Sequence, residues 1–220
     1  RIIPLLFIFI SISSASFAQD WAGFNRYKES NTQVASAPKA VFMGDSITDN
    51  WASWDSDFFT SNNYVGRGIS GQTTSQMLVR FRRDVIELAP EYVTILAGTN
   101  DIARNNGEIT LENVLGNIIS MCELAKANNI KPILCAILPA TGYRWRPEVK
   151  PADDIVRLNG MIRAYAEQNG IPYVDYHALL KDEHNGLPAK YADDGVHPNV
   201  GCYKLMEELI MKYLPVLLFS

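Results

Sequence analysis

Five short apolar segments alternate with amphipathic segments along the 220-residue chain, and this alternation restricts the possible folds more than any other feature. The apolar segments predict strands at residues 40–44, 63–69, 92–97, 133–138 and 172–175. Most are apolar throughout, as expected for strands of a parallel sheet that is covered on both faces. The sequence therefore predicts an α/β fold, a three-layer α/β/α sandwich with a five-stranded, mainly parallel sheet.

The segments between the strands predict the helices that cover this sheet. Apolar residues recur at helical spacing in residues 49–60, 73–88, 110–127, 153–168 and 201–214. The first of these segments holds four aromatic residues, Trp51, Trp54, Phe58 and Phe59. Packing of these rings in the core is favoured over contact with a substrate. Residues 176–198 are predicted to be mostly loop, and residues 38–220 are expected to form a single domain.

The first 18 residues differ from the rest of the chain. Arg1 precedes an apolar run at residues 2–10, and small residues follow at Ser16 and Ala18. This pattern predicts a secretory signal peptide that is cleaved after Ala18. The apolar run is shorter than the roughly 20 residues that span a bilayer. We therefore expect a secreted or periplasmic protein with no stable membrane anchor after cleavage, which begins with a polar lead-in at residues 19–37 that includes one helical turn.

Charge and cysteine content argue against two classes of function. The chain has 20 basic and 24 acidic residues, and no basic run exceeds two residues. Binding of nucleic acid requires clustered positive charge, so no nucleic acid partner is expected. The three cysteines, Cys122, Cys135 and Cys202, are widely spaced in apolar or helical patterns. They are predicted to be buried free thiols, not a disulfide or a metal site.

Polar residues that suit acyl transfer follow the predicted strands. Residues 44–46 (Gly-Asp-Ser) follow the first strand, Gly71 the second and Asn100 the third, and the loop before the last helix carries Asp194 and His197. The carboxyl ends of parallel strands form the edge of such a sheet at which ligands bind. Each pattern alone is common in turns and helix caps, but their occurrence together is not explained by structural needs alone.

Ser46 and His197 are the predicted nucleophile and general base. A serine hydroxyl is a poor nucleophile until a base removes its proton, and imidazole titrates in the suitable pH range. His197 is preferred to His177 and His184 because it lies in a loop beside a glycine and a proline. Asp194, three residues earlier, can reach the imidazole Nδ1–H, fix the tautomer and stabilise the imidazolium.

Three groups are predicted to stabilise the negative charge that forms on the attacked carbonyl oxygen. They are the backbone N–H of Ser46, the backbone N–H of Gly71 and the side-chain amide of Asn100. Such donors must already point to the place where the oxyanion forms. Glycine suits the second position because a side chain there could block the close approach of the backbone to the substrate.

Four sequence blocks resemble those of the SGNH hydrolases, the GDSL family of esterases and lipases. The blocks are residues 44–48 (GDSIT), 68–73 (GISGQT), 98–101 (GTND) and 194–198 (DGVHP), in the order found in the family. The resemblance implies the roles given above for the serine, glycine, asparagine, aspartate and histidine. It also implies a flavodoxin-like sandwich with no metal and no cofactor. Ile47 is a mild departure, because the family usually has leucine there.

Asp45 and three residues of the 141–151 loop, Tyr143, Arg144 and Trp145, are candidate substrate contacts. The loop residues could stack on a sugar ring or pair with an anion, or they could pack on the sheet edge, and both interpretations stay open. The resemblance favours hydrolysis of short acyl esters, such as acetyl groups on carbohydrates or on a lipid of the platelet-activating-factor type. A lysophospholipase or thioesterase and a non-catalytic carbohydrate-binding relative are the alternatives.

Overall fold

The computed structural model describes residues 20–214 and contains one parallel sheet between two layers of helices. Its strands are β1 (Ala40–Gly44), β2 (Tyr64–Gly68), β3 (Tyr92–Leu96), β4 (Lys131–Cys135) and β5 (Tyr173–Val174). All neighbours are parallel, in the order β2-β1-β3-β4-β5. This order is that of flavodoxin-like proteins. The predicted α/β/α class and the five-stranded sheet are confirmed.

The α-helices within the described residues are α1 (Lys28–Thr32), α2 (Ser46–Trp54), α3 (Ser56–Ser61), α4 (Thr74–Asp84), α5 (Thr99–Ile102), α6 (Leu111–Ala127), α7 (Ala152–Gln168), α8 (Tyr176–Leu180) and α9 (Val200–Ile210). A 3₁₀ helix, Ile86–Leu88, follows α4. The five periodic segments are helical, as predicted. The first of them is divided into α2 and α3 at Asp55. The short helices α5 and α8 lie where the sequence predicts only a strand end and a loop.

Alternate side chains of each strand pack against opposite helical layers. In β1, Val41 and Met43 belong to the cluster that includes α4, α6 and α7, whereas Ala40 and Phe42 belong to the cluster that includes α2, α3 and α9. All five residues of β1 are buried. Burial on both faces explains why the central strands are apolar without interruption.

An aromatic cluster fills one side of this core. Trp51 stacks on Phe58 with ring centroids 5.6 Å apart, and Phe42 meets Trp51 edge-on. Trp51, Phe58 and Phe59 are buried, which confirms the predicted core role for these three rings, whereas Trp54 is 51% exposed. The three cysteines are buried and free, as predicted.

The lead-in segment is attached to the sheet beside the end of β2. It contains the predicted helical turn, α1, and the Tyr27 hydroxyl donates a hydrogen bond to the Gly68 carbonyl oxygen. The predicted signal peptide, residues 1–18, lies outside the described residues. Within residues 20–214, no helix is both long enough and apolar enough to cross a membrane.

Helix α2 begins in close contact with the end of β2. A Cβ atom on Gly68 would lie only 2.2 Å from the backbone nitrogen of Asp49 and 2.5 Å from the carbonyl oxygen of Asp45. Glycine is therefore required for the first turn of α2 to pack on this strand. This contact places Ser46, the first residue of α2, at the carboxyl edge of the sheet.

Candidate active site

Ser46 lies at the junction between β1 and α2. Asp45 is the N-cap of the helix, and its carboxylate accepts the backbone N–H of Ile47 at 3.0 Å. The first N–H groups of a helix have no partner within the helix, so the Ser46 N–H can donate to a ligand. The junction therefore presents a hydroxyl group and a backbone donor together.

Ser46, His197 and Asp194 form a continuous hydrogen-bonded chain. The distance between Ser46 Oγ and His197 Nε2 is 2.9 Å, and the distance between His197 Nδ1 and Asp194 Oδ2 is 2.6 Å. The histidine and aspartate side chains are each 28% exposed, so the imidazole is partly shielded but reachable. The structure thus brings together the predicted hydroxyl, base and carboxylate at distances suited to proton transfer.

Asp194 also organises the loop that carries His197. Its Oδ1 accepts the backbone N–H groups of Val196 at 2.9 Å and of His197 at 2.8 Å. Burial alone would raise the pKa of Asp194, but hydrogen bonds from the side chain and backbone of His197 outweigh it and hold the pKa below its usual value. Asp194 therefore stays ionised at neutral pH. An ionised acceptor at Nδ1 favours the tautomer that leaves Nε2 free to accept a proton.

Gly71 lies across the cavity from this chain of hydrogen bonds. Its φ angle is +79°, in the left-handed region that glycine adopts without strain. A Cβ atom here would lie 4.0 Å from its nearest heavy-atom neighbour, Asn105 Nδ2. Within the protein, glycine is thus required by the backbone conformation and not by lack of space. The predicted reason, close approach of the backbone to the substrate, stays a prediction.

Asn100 lies buried beside Gly71. Its Nδ2 donates to the Gln72 carbonyl at 3.1 Å, and its Oδ1 accepts from Asn105 Nδ2 at 2.8 Å. A side-chain amide has two N–H donors, so the second remains for a ligand. Asn105 fixes the amide orientation, and it also accepts a hydrogen bond from Trp145 Nε1 at 3.0 Å.

A cavity of about 380 Å³ connects these groups. Its lining residues are Ser46, Asn50, Ser70, Gly71, Asn100, Asn105, Trp145 and His197. Three of these lining residues, Asn50, Ser70 and Asn105, are not among the site residues predicted from the sequence. Asn50 lies one turn after Ser46 on α2, and this i, i+4 spacing could have indicated it. Asn105 precedes another asparagine and a glycine, a pattern that indicates only a turn.

Of the three loop residues predicted to contact substrate, only Trp145 lines this cavity. Its side chain is 40% exposed, and its ring centroid is 6.1 Å from that of His197. The prediction is wrong for Tyr143, which is buried and packs against Trp145 at 5.0 Å. Arg144 is exposed outside the lining of this cavity and donates to the Asp193 carbonyl at 2.5 Å, so contact of Arg144 with a substrate stays a prediction. These two side chains hold the loop in place.

Asp45 is likewise not a substrate contact, contrary to the prediction. Its side chain is only 1% exposed, caps α2 and does not line the cavity. Burial raises the pKa of Asp45 to about 6, although the hydrogen bond from Ile47 partly offsets this effect. Asp45 therefore affects the site through the helix that begins with Ser46.

We expect Asp45→Asn to change how stability depends on pH. The folded-state pKa of about 6 lies above the ordinary value of 3.8, so the folded protein loses stability as the pH rises through this interval. The full effect is on the order of 3 kcal/mol. Asparagine keeps an oxygen for the Ile47 N–H but carries no charge. The melting temperature of Asp45→Asn relative to wild type should therefore rise between about pH 4 and pH 7.

The matched control is Asp153→Asn, which removes an exposed carboxylate in the first turn of α7. Its melting temperature relative to wild type should not show the same rise. If the difference in melting temperature between Asp45→Asn and wild type were constant over this pH range, the assignment of a raised pKa to Asp45 would be contradicted.

Residues 42–205 match the model of the GDSL-like lipase/acylhydrolase family, which is most of the chain. The chain belongs to this family. The predicted resemblance is therefore confirmed, and the protein is a carboxylic ester hydrolase. Its parallel sheet with helices on both faces is the fold of the solved relatives in this family.

Three similar proteins illustrate the range of the family. A GDSL-like lipase from Bacteroides thetaiotaomicron is 46% identical with a TM-score of 0.86, over 89% of this chain and 98% of the other. An acetylxylan esterase from Geobacillus stearothermophilus is 23% identical, over 82% of this chain and 95% of the other. An uncharacterized lipoprotein from Bacillus subtilis is 35% identical over 34% of this chain, which matches only 32% of the length of that lipoprotein.

Proposed function

We propose that the protein removes short acyl groups, in particular acetyl groups, from esters of carbohydrates. The observation that carries this proposal is the set of chemical groups that line the cavity next to Ser46. The described residues that line it supply hydroxyl, amide and imidazole groups and one indole ring, but no aliphatic side chain, lysine or arginine. A long acyl chain would require apolar walls, and a phosphate headgroup would favour a cationic partner. An acetyl ester of a hydroxyl-rich molecule fits this lining better.

In the first half of the proposed reaction, Ser46 Oγ attacks the ester carbonyl carbon while His197 Nε2 takes the hydroxyl proton. The carbonyl oxygen becomes an oxyanion, which accepts hydrogen bonds from the N–H groups of Ser46 and Gly71 and from Asn100 Nδ2. The intermediate then collapses. The bond to the sugar oxygen breaks, the sugar leaves with the proton from His197, and the acyl group stays on Ser46.

In the second half, water attacks the acyl carbon and His197 Nε2 takes one of its protons. The same three donors stabilise the second oxyanion. When this intermediate collapses, Ser46 Oγ recovers the proton from His197 and the carboxylic acid is released. Asp194 stabilises the imidazolium in both halves and remains ionised. The acetylxylan esterase relative supports an acetylated sugar as the substrate class, since its name states that activity.

The test is a series of p-nitrophenyl esters from acetate through butyrate to octanoate. We expect kcat/KM to fall by about tenfold or more from acetate to octanoate, because the described lining offers a longer chain no aliphatic side chain and only the indole of Trp145 to pack against. Acetylated monosaccharides should also be substrates, with acetate release as the measurement. The Ser46→Ala variant gives the uncatalysed background.

Three other results would overturn the proposal. Highest kcat/KM with octanoate would favour a lysophospholipase or thioesterase. Absence of turnover with every ester, together with failure of a fluorophosphonate to label Ser46, would favour the non-catalytic carbohydrate-binding alternative. Turnover of p-nitrophenyl acetate without any release of acetate from acetylated sugars would show that the substrate class is wrong although the mechanism is correct.

A further inference from the structure

A second cavity, of about 400 Å³, adjoins the one at Ser46. The two cavities share Ser70, Gly71 and Asn105. The remaining lining residues come mainly from the lead-in segment and the loop between β2 and α4, and they are Asp20, Trp21, Gly23, Ile69, Gln72, Gln76 and Asn106. The volume lies in the range of small-molecule sites, roughly 300–1,000 Å³.

The wall supplied by the lead-in is held by defined hydrogen bonds. Gln76 Nε2 donates to the Trp21 carbonyl at 2.7 Å, and Gln72 Nε2 donates to the Ala22 carbonyl at 2.8 Å. The carboxylate of Asp20 accepts two backbone N–H groups of the following turn, at 2.9 Å and 2.7 Å. The segment is therefore positioned before a ligand arrives, which reduces the entropy cost of binding.

The chemistry of the second cavity matches a neutral ring that is rich in hydroxyl groups. The Trp21 side chain is 47% exposed, and a flat indole can pack against the C–H face of a sugar ring. Gln76 keeps one Nε2–H beyond its bond to the Trp21 carbonyl, and the Oδ1 atoms of Asn105 and Asn106 can each accept a further hydrogen bond. The described lining contains no lysine or arginine, and Asp20 is already hydrogen-bonded, so the cavity is poorly suited to an anion.

We propose that this second cavity binds a sugar unit adjacent to the acylated unit of an oligosaccharide. This inference rests on the proposed function and extends it from sugar esters to esters of linked sugars. The acylated unit lies at Ser46, and the glycosidic bond crosses the boundary formed by Ser70, Gly71 and Asn105. Contact with Trp21 then makes the protein prefer an ester of linked sugars to an ester of a single sugar.

The test compares kcat/KM for acetylated xylobiose with kcat/KM for acetylated methyl xyloside. For the wild-type protein we expect kcat/KM to be about tenfold higher with acetylated xylobiose than with acetylated methyl xyloside. For Trp21→Ala we expect this ratio to fall close to one, because one aromatic contact with the second sugar is lost. Trp21→Phe should recover most of the ratio because a flat ring is restored. Thermal melting of each variant reports whether the lead-in is still folded.

Phe24→Ala is the matched control, because Phe24 is an exposed aromatic residue of the same segment that lines neither cavity. It should keep the wild-type ratio. Equal kcat/KM for the two substrates in the wild-type protein, or a ratio that survives Trp21→Ala, would overturn the second site and leave sugar deacetylation intact. Inactivity toward both acetylated sugars, with p-nitrophenyl acetate still hydrolysed, would instead reject the proposed substrate class.

Discussion

Replacement of Ser46 by alanine should leave a folded protein whose kcat with p-nitrophenyl acetate is about 10⁶-fold lower. The reason is that Ser46 Oγ is the hydroxyl hydrogen-bonded to His197 Nε2, at 2.9 Å. Alanine is a good helix former, and the cap of α2 is supplied by Asp45. Little change in melting temperature is therefore expected, so a loss of activity would reflect the missing nucleophile and not unfolding.

Ser70→Ala is the control for Ser46→Ala, because Ser70 lines the same cavity but its Oγ donates to Asp49 Oδ2 at 3.1 Å. A fluorophosphonate should label the wild-type protein and Ser70→Ala but not Ser46→Ala. His197→Ala should cost nearly as much as Ser46→Ala, and the double variant no more, because the two residues act as a unit. Wild-type turnover by Ser46→Ala would disprove the mechanism.

The fold could be predicted because the strands are buried on both faces, so each strand appears in the sequence as an uninterrupted apolar run. β4 shows where this reasoning fails: residues 133–138 are apolar, but the strand is Lys131–Cys135. Beyond the strand, the side chain of Asn159 makes both backbone hydrogen bonds of Ile137, at 2.8 Å and 2.9 Å. A buried segment can thus be held by a side chain instead of a neighbouring strand, which an apolar run does not reveal.

Pro132 explains the error at the other end of β4. Proline cannot donate to a ladder, so it argues against a strand. The Leu134 N–H bonds to Pro172 on the β5 side, and nitrogens two residues apart face the same neighbour. The Pro132 nitrogen therefore points to the β5 side of the strand, at a position before the β4–β5 pairing begins. Only Leu134 and Cys135 of β4 pair with β5. No hydrogen bond of that ladder is lost.

The candidate site could be located because its residues directly follow strands or stand beside one another in the loop before α9. Contacts made by long loops could not be predicted in this way. The sequence does not distinguish the partly exposed Trp145 from the buried Tyr143, since both are aromatic residues of one irregular loop. Asn105 bonds not only to Asn100, five residues earlier, but also to Gly71 and Trp145, which are distant along the chain.

Asp194→Asn tests the part of the site that controls the tautomer of His197. Asparagine can keep an oxygen for the backbone N–H groups of Val196 and His197, which Asp194 Oδ1 now accepts at 2.9 Å and 2.8 Å. The amide nitrogen then replaces Oδ2, which lies 2.6 Å from His197 Nδ1. Because this nitrogen is a donor, Nδ1 must become the acceptor, and the proton moves to Nε2.

A protonated Nε2 cannot take the proton of Ser46, so we expect Asp194→Asn to lower kcat by about 10³- to 10⁴-fold with little loss of stability. Asp193→Asn is the control, because it makes the same change at the exposed neighbouring residue and should keep wild-type kcat. Asp194→Ala should lower the melting temperature more, since it also removes the acceptor for the two backbone N–H groups. If Asp194→Asn retained kcat within about tenfold of wild type, the loop backbone and not the carboxylate would set the tautomer of His197.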